Sequence, residues 1–103
     1  MSLTWKDVLG ELQHSVPSGT ITTYGDLSQK FYGHSRGAQS IGKRLDEIVS
    51  EEPKNVVFTN RVVKSKGVLI EFNGQQLQLK NEGVPIEDGR VNLKKARHAK
   101  LSK

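Results

Sequence analysis

Thr23-Tyr24-Gly25-Asp26-Leu27-Ser28-Gln29-Lys30-Phe31-Tyr32-Gly33-His34-Ser35-Arg36-Gly37-Ala38-Gln39-Ser40-Ile41-Gly42 is the stretch that decides the fold. Thr22 or Thr23 can cap a helix from about Gly25 to Phe31, because a threonine hydroxyl accepts an orphan first-turn amide. Gly33 ends that helix, since glycine tolerates the left-handed conformation of a helix C-terminus. Ser35 can cap a further helix. In it Ala38, Ile41, Leu45 and Ile48 fall at i, i+3, i+7 and i+10, one apolar stripe. Glu52-Pro53 ends the stripe, because the residue before a proline avoids the helical region. Two helices joined by a short glycine-containing turn form a helix-turn-helix pattern.

Upstream, Thr4 with Asp7 three residues later fits an N-cap and its reciprocal acid. Trp5, Val8, Leu9 and Leu12 then repeat at helical spacing to about Ser15, and Pro17-Ser18-Gly19 breaks the chain. Downstream the period changes. Val56-Val57-Phe58 is a β-prone run. Arg61-Val62-Val63 and Val68-Leu69-Ile70-Glu71-Phe72 flank Lys64-Ser65-Lys66-Gly67 and read as a hairpin. Asn73-Gly74 is a turn, Gln75 to Asn81 is short and helical, and Gly83 ends it. Asp88-Gly89 is another turn, with Val91-Asn92-Leu93 as a last strand. The class expected is α+β, winged helix-turn-helix-like: helices followed by a small β-hairpin wing.

The 103 residues suffice for one domain. There is no cysteine, which excludes disulfides, thiolate metal sites and a cysteine nucleophile. His14, His34 and His98 lie far apart, without metal-ligand spacing, so no metal is expected. No cofactor motif is readable either. No apolar run approaches the roughly 18 residues that span a bilayer. The opening Met1 to Asp7 lacks a secretory pattern, so a cytoplasmic location is expected; a monomer is expected as well. The formal charge of +5 is unevenly spread. Residues 90–103 hold Arg90, Lys94, Lys95, Arg97, Lys100 and Lys103 with no acid, leaving a nearly neutral body. Domain boundaries follow from this: residues 1–93 as the folded unit and 94–103 as a basic C-terminal tail. A basic segment attracts polyanions, most commonly nucleic acid, or simply keeps a protein soluble.

Several segments, in order, resemble the DNA-binding domain of the alkylguanine-DNA alkyltransferases. Val16-Pro17-Ser18-Gly19-Thr20-Ile21-Thr22-Thr23-Tyr24-Gly25-Asp26-Leu27 is similar to "VPxGxVxTYGxLA". Gly33 to Gly42 resembles the recognition helix "GxPxAARAVG", and Arg61-Val62-Val63-Lys64-Ser65-Lys66-Gly67 matches "RVVxSxG". Leu77-Gln78-Leu79-Lys80-Asn81-Glu82-Gly83-Val84 matches the "LxxEGV" segment, and Gly89-Arg90-Val91-Asn92-Leu93 is similar to "GRVDL" of the alkyltransferase-like proteins. The resemblance implies double-stranded DNA, alkylated or unmodified, as partner.

It also implies where chemistry is lost. The family's "PCHR" aligns with Phe58-Thr59-Asn60-Arg61, so Thr59 replaces the acceptor cysteine and Asn60 its histidine. A threonine hydroxyl without a base is a poor nucleophile. Tyr24, Thr59, Asn60 and Arg61 would form the alkyl pocket, although Arg61 also reads as a brace for its loop. Glu82 matches a carboxylate of the family's catalytic network, or is a helix-end acid making local hydrogen bonds. For DNA contact the resemblance and residue types point to Thr23, Tyr24, Arg36, Gln39, Ser40, Lys43 and Ser65. Gln39 stands where the family places the arginine that fills the gap left by a flipped base. The leading expectation is a non-enzymatic protein that flips O6-alkylguanine and signals nucleotide excision repair proteins. A lesion-independent DNA-binding module, architectural or regulatory, is the second reading. A protein-interaction domain is the third.

Overall fold

The computed structural model describes residues 3–69 and 74–102. Helix α1 (Trp5–Ser15) starts at the expected Thr4 cap, with the Thr4 amide donating to Asp7 at 3.0 Å. Strand β1 (Thr20–Thr23) leads directly into α2 (Tyr24–Tyr32), whose N-cap Thr23 accepts the Asp26 amide at 3.0 Å. Gly33 closes α2 in the left-handed conformation, φ 77°. A 3₁₀ turn over Ser35–Gly37 precedes α3 (Ala38–Glu51), which ends before Pro53.

Val56-Val57-Phe58 is not a strand. After a 3₁₀ turn at Pro53–Asn55 it forms a single helical turn, α4 (Val56–Thr59). The Asn60 amide donates to Val56 O at 2.9 Å, which turns the chain back toward β1, and Phe58 packs on the helical core. Tertiary packing thus overrides the β propensity of this run. Strand β2 (Val62–Val63) pairs with β1 in parallel, Thr22 opposite Val62. Expected as an arm of a hairpin, it is instead a sheet edge. Of the second arm, Ile70 to Phe72 lies outside the described residues; Val68 bridges Arg90. Helix α5 (Gln75–Asn81) follows, then β3 (Ile86–Glu87) and β4 (Arg90–Val91), an antiparallel hairpin around Asp88-Gly89. The architecture is α+β, a helix-turn-helix followed by a small wing.

Residues 94–102, the basic segment, run along the body. Strand β5 (Arg97–His98) pairs with β1 in parallel, giving the order β2-β1-β5, and the Ala99 amide donates to Ile21 O at 2.8 Å. The Ser102 amide and hydroxyl then donate to the Glu11 carboxylate of α1 at 2.7 and 2.6 Å. The sheet separates two apolar clusters. Val8, Leu12, Leu27, Ile41, Leu45 and Ile48 fill the space between α1, α2 and α3, with Val62. Ile21, Val63, Leu69, Leu79, Val84 and Val91 fill the other side. Val62 and Val63 therefore face opposite clusters, as alternation along a strand demands.

Candidate nucleic-acid interface

The turn between α2 and α3 is stapled by buried side chains. The Ser28 hydroxyl, fully buried, donates to His34 O and accepts the Gly37 amide at 2.8 Å. The Tyr32 and Ser40 hydroxyls share a hydrogen bond, and the Tyr32 ring stacks on His34 at 6.0 Å between centroids. A side chain at position 37 would put its Cβ 2.6 Å from the Tyr32 ring. The small residue there permits the tight approach of α3 to α2.

This turn fixes one wall of an open cleft of about 560 Å³. Its lining is Tyr24, Gly25, Ser35, Ala38, Gln39, Gly42, Lys64 and Ser65. Tyr24 starts α2, and its ring lies so close to α3 that a Cβ on Gly42 would be 3.4 Å from it. Burial, reinforced by the negative charge of Asp46, pushes the Tyr24 phenol above its ordinary range. It stays a protonated hydrogen-bond donor at neutral pH. Ala38, Gln39 and Gly42 sit on the first turns of α3, and Gln39 is exposed. Lys64 and Ser65, both exposed, come from the loop after β2 and form the opposite lip.

The cleft brings together Tyr24, Gln39 and Ser65 among the residues expected to contact DNA. Arg36 and Lys43 are exposed on the same helix-turn-helix unit but do not line it. Thr23 is buried as the α2 cap, and Ser40 is engaged with Tyr32. Gly25 and Ser35 complete the lining without having stood out as contact residues, because small residues carry no compositional signal.

Thr59, Asn60 and Arg61 do not line this cleft with Tyr24. The Thr59 hydroxyl donates to Val56 O at 3.3 Å. Asn60 is buried, and its amide donates to Gln78 Oε1 at 2.9 Å. Arg61 is buried and makes a two-pronged ion pair with Glu82: Nε to Oε1 at 3.0 Å and Nη2 to Oε2 at 2.7 Å. Its Nη1 also donates to Val16 O at 3.3 Å. Glu82 further accepts the Gly19 amide at 3.4 Å and Gln78 Nε2 at 3.2 Å. Burial alone would raise the Glu82 pKa, but these hydrogen bonds and the Arg61 charge outweigh it and hold the carboxyl below its ordinary range. Buried Gln75 donates to both Asn60 O and Val62 O at 2.9 Å. The network ties the turn before β1, the α4–β2 loop and α5 into one unit. Glu82 is thus committed to a structural ion pair.

Among the described residues, no three metal-ligating side chains gather in one place, and no helix is long and apolar enough to cross a membrane.

No family model matches the sequence, and no curated protein does so at the sequence level. The structure, however, is similar to that of S. pombe Atl1 in complex with damaged DNA containing O6-carboxymethylguanine. The TM-score is 0.69, at 21% identity over 94% of this chain and 97% of that one. This chain has the fold of an alkyltransferase-like protein. In this chain the cleft lies where the helix-turn-helix meets the β2 loop, and none of the residues of the Arg61–Glu82 network lines it.

Proposed function

We propose that this chain is a non-enzymatic DNA-binding protein that recognises O6-alkylguanine by flipping the nucleotide out of the duplex and marks it for nucleotide excision repair. The observation that carries the reading is the convergence of Tyr24, Gln39 and Ser65 on one cleft walled by the small residues Ala38 and Gly42. A protonated phenol and a serine hydroxyl suit phosphate oxygens. A glutamine at the start of α3 can hydrogen-bond a base left without its partner. Arg36, Lys43 and Lys64, all exposed, add attraction to the backbone. The structurally similar Atl1 was solved with damaged DNA, which agrees in kind. Alkyl transfer has no support in the residues. Among the described residues Thr59 bonds only to the Val56 carbonyl, and its neighbour Asn60 is an amide that does not take up a proton at neutral pH.

Binding to matched duplexes with and without a single O6-methylguanine, at fixed salt, tests this. Preference for the modified duplex, with the intact mass of the protein unchanged after incubation, is the expected result. Equal binding makes the protein a lesion-blind DNA binder, and a methyl adduct makes it an alkyltransferase.

A further inference from the structure

The loop after β2 carries Lys64, Ser65 and Lys66 in succession, all exposed. Lys64 and Ser65 line the cleft described above. Lys66 lines a second concavity, of about 390 Å³, whose other walls include Arg90 of β4 and Lys94. A backbone hydrogen bond from hairpin to loop, bonds within the loop, and the packing of Val63 and Leu69 with Val91 hold the two together. The Val91 amide donates to Gly67 O at 2.9 Å, the Gly67 amide to Lys64 O at 2.8 Å, and the Lys64 amide to Val68 O at 3.2 Å. Gly67 has φ 78°, and a Cβ there would lie 2.3 Å from Val91 O.

The frame beneath the cations is therefore fixed without using their side chains. Among the described residues, Lys66, Arg90 and Lys94 have no ion-pair partner. The concavity also contains Glu87 and Asp88. Glu87 is already engaged, 3.8 Å from Lys95 Nζ and accepting from Asn92. Asp88 sits at the tip of the β3–β4 turn, φ 54°.

We propose that the β2 loop and the hairpin form a second phosphate-binding surface, which grips the DNA backbone flanking the nucleotide at the cleft. This rests on the DNA-binding reading above. Unpaired cations on a rigid frame, continuous with a cleft facing DNA, fit a phosphodiester chain better than any neutral partner. Scale agrees: the longest dimension of the molecule, 39 Å, matches about 11 base pairs at ~3.4 Å each. Both surfaces fit along roughly one turn of duplex.

The test compares Lys66→Gln/Arg90→Gln/Lys94→Gln with a control of equal charge change, Lys6→Gln/Lys54→Gln/Lys80→Gln. The control residues are exposed and line neither concavity. Affinity for duplexes of about 20 base pairs, with and without O6-methylguanine, is followed from about 50 to 200 mM salt. Each phosphate contact contributes about 0.9 to the logarithmic salt slope, so the triple variant should lose about 2 to 3 and the control less than about 1. Lys66→Gln/Lys94→Gln, which leaves β4 intact, should lose about 2 and guards against a folding defect. The lesion preference should be unchanged. A loss no larger than the control's overturns the second surface. A salt slope that falls as expected in a protein without lesion preference overturns the lesion reading and upholds this one. Absence of duplex binding by the unsubstituted protein overturns both.

Discussion

Replacing Arg61 by methionine should destabilise this domain by about 3–5 kcal/mol, the usual cost of removing one partner of a buried ion pair. Arg61 is 8% exposed, and its substitution removes the 3.0 and 2.7 Å bonds to Glu82 and the 3.3 Å bond to Val16 O. Glu82 would keep only the Gly19 amide at 3.4 Å and the Gln78 amide at 3.2 Å. Those donors are too few for a carboxylate whose side chain is 12% exposed. For a domain of this size each kcal/mol corresponds to about 4–8 °C in Tm, so a fall of at least about 12 °C is expected. Glu82→Met should destabilise comparably, by leaving the guanidinium without its counter-ion. Arg61→Met/Glu82→Met should recover much of the loss, because both charges are then absent. Urea unfolding of the four proteins gives the cycle. A cost below about 1 kcal/mol for Arg61→Met, or additive single effects, would refute the view of Arg61 as a charge-paired brace. DNA affinity of the double variant, measured where it is fully folded, should match that of the unsubstituted protein.

The same carboxylate sets an acid dependence. The folded-state pKa of Glu82 lies below its ordinary 4.5, as does that of Glu11, where hydrogen bonds from Ser102 and Ser15 and the Lys30 charge outweigh burial. Their stabilisation is therefore complete above about pH 5 and lost as pH falls through the lowered values; urea midpoints of Glu11→Gln should decline less steeply there. Gly67→Ala combines a positive φ with a Cβ 2.3 Å from Val91 O and should cost more than about 2 kcal/mol by urea titration. Gln39→Arg places a planar cation at the cleft. Duplex binding should tighten more with O6-methylguanine than with guanine, and a fluorescent base analogue should report increased flipping.

The helical half of the molecule was legible because its signals are local. Thr4, Thr23 and Gly33 mark ends, and the Ile41, Leu45 and Ile48 stripe marks a buried face. The sheet was not. Val62–Val63 and Arg97–His98 find their partner in β1, far away in sequence, and two-residue strands have no readable period. Arg97 and His98 are both exposed, so nothing in their chemistry distinguishes a strand from a solvated tail. At the cleft, Tyr24, Gln39 and Ser65 were accessible through family resemblance. Ser28, Tyr32 and Gly37 were not, because a staple across a turn depends on geometry rather than residue type. Arg61 and Glu82 appeared as separate candidates, and only the structure pairs them.

The Ser28 staple also bears on dynamics. One hydroxyl satisfies both His34 O and the Gly37 amide in a site with no solvent access. The Gly37 amide should therefore exchange its hydrogen slowly despite lying between two helices, and only when the inter-helix corner opens. A corner locked in the free protein leaves little backbone entropy to lose when α3 meets its partner. Encounter would then be governed by orientation more than by rearrangement, and dissociation by the contacts that the rigid edge presents.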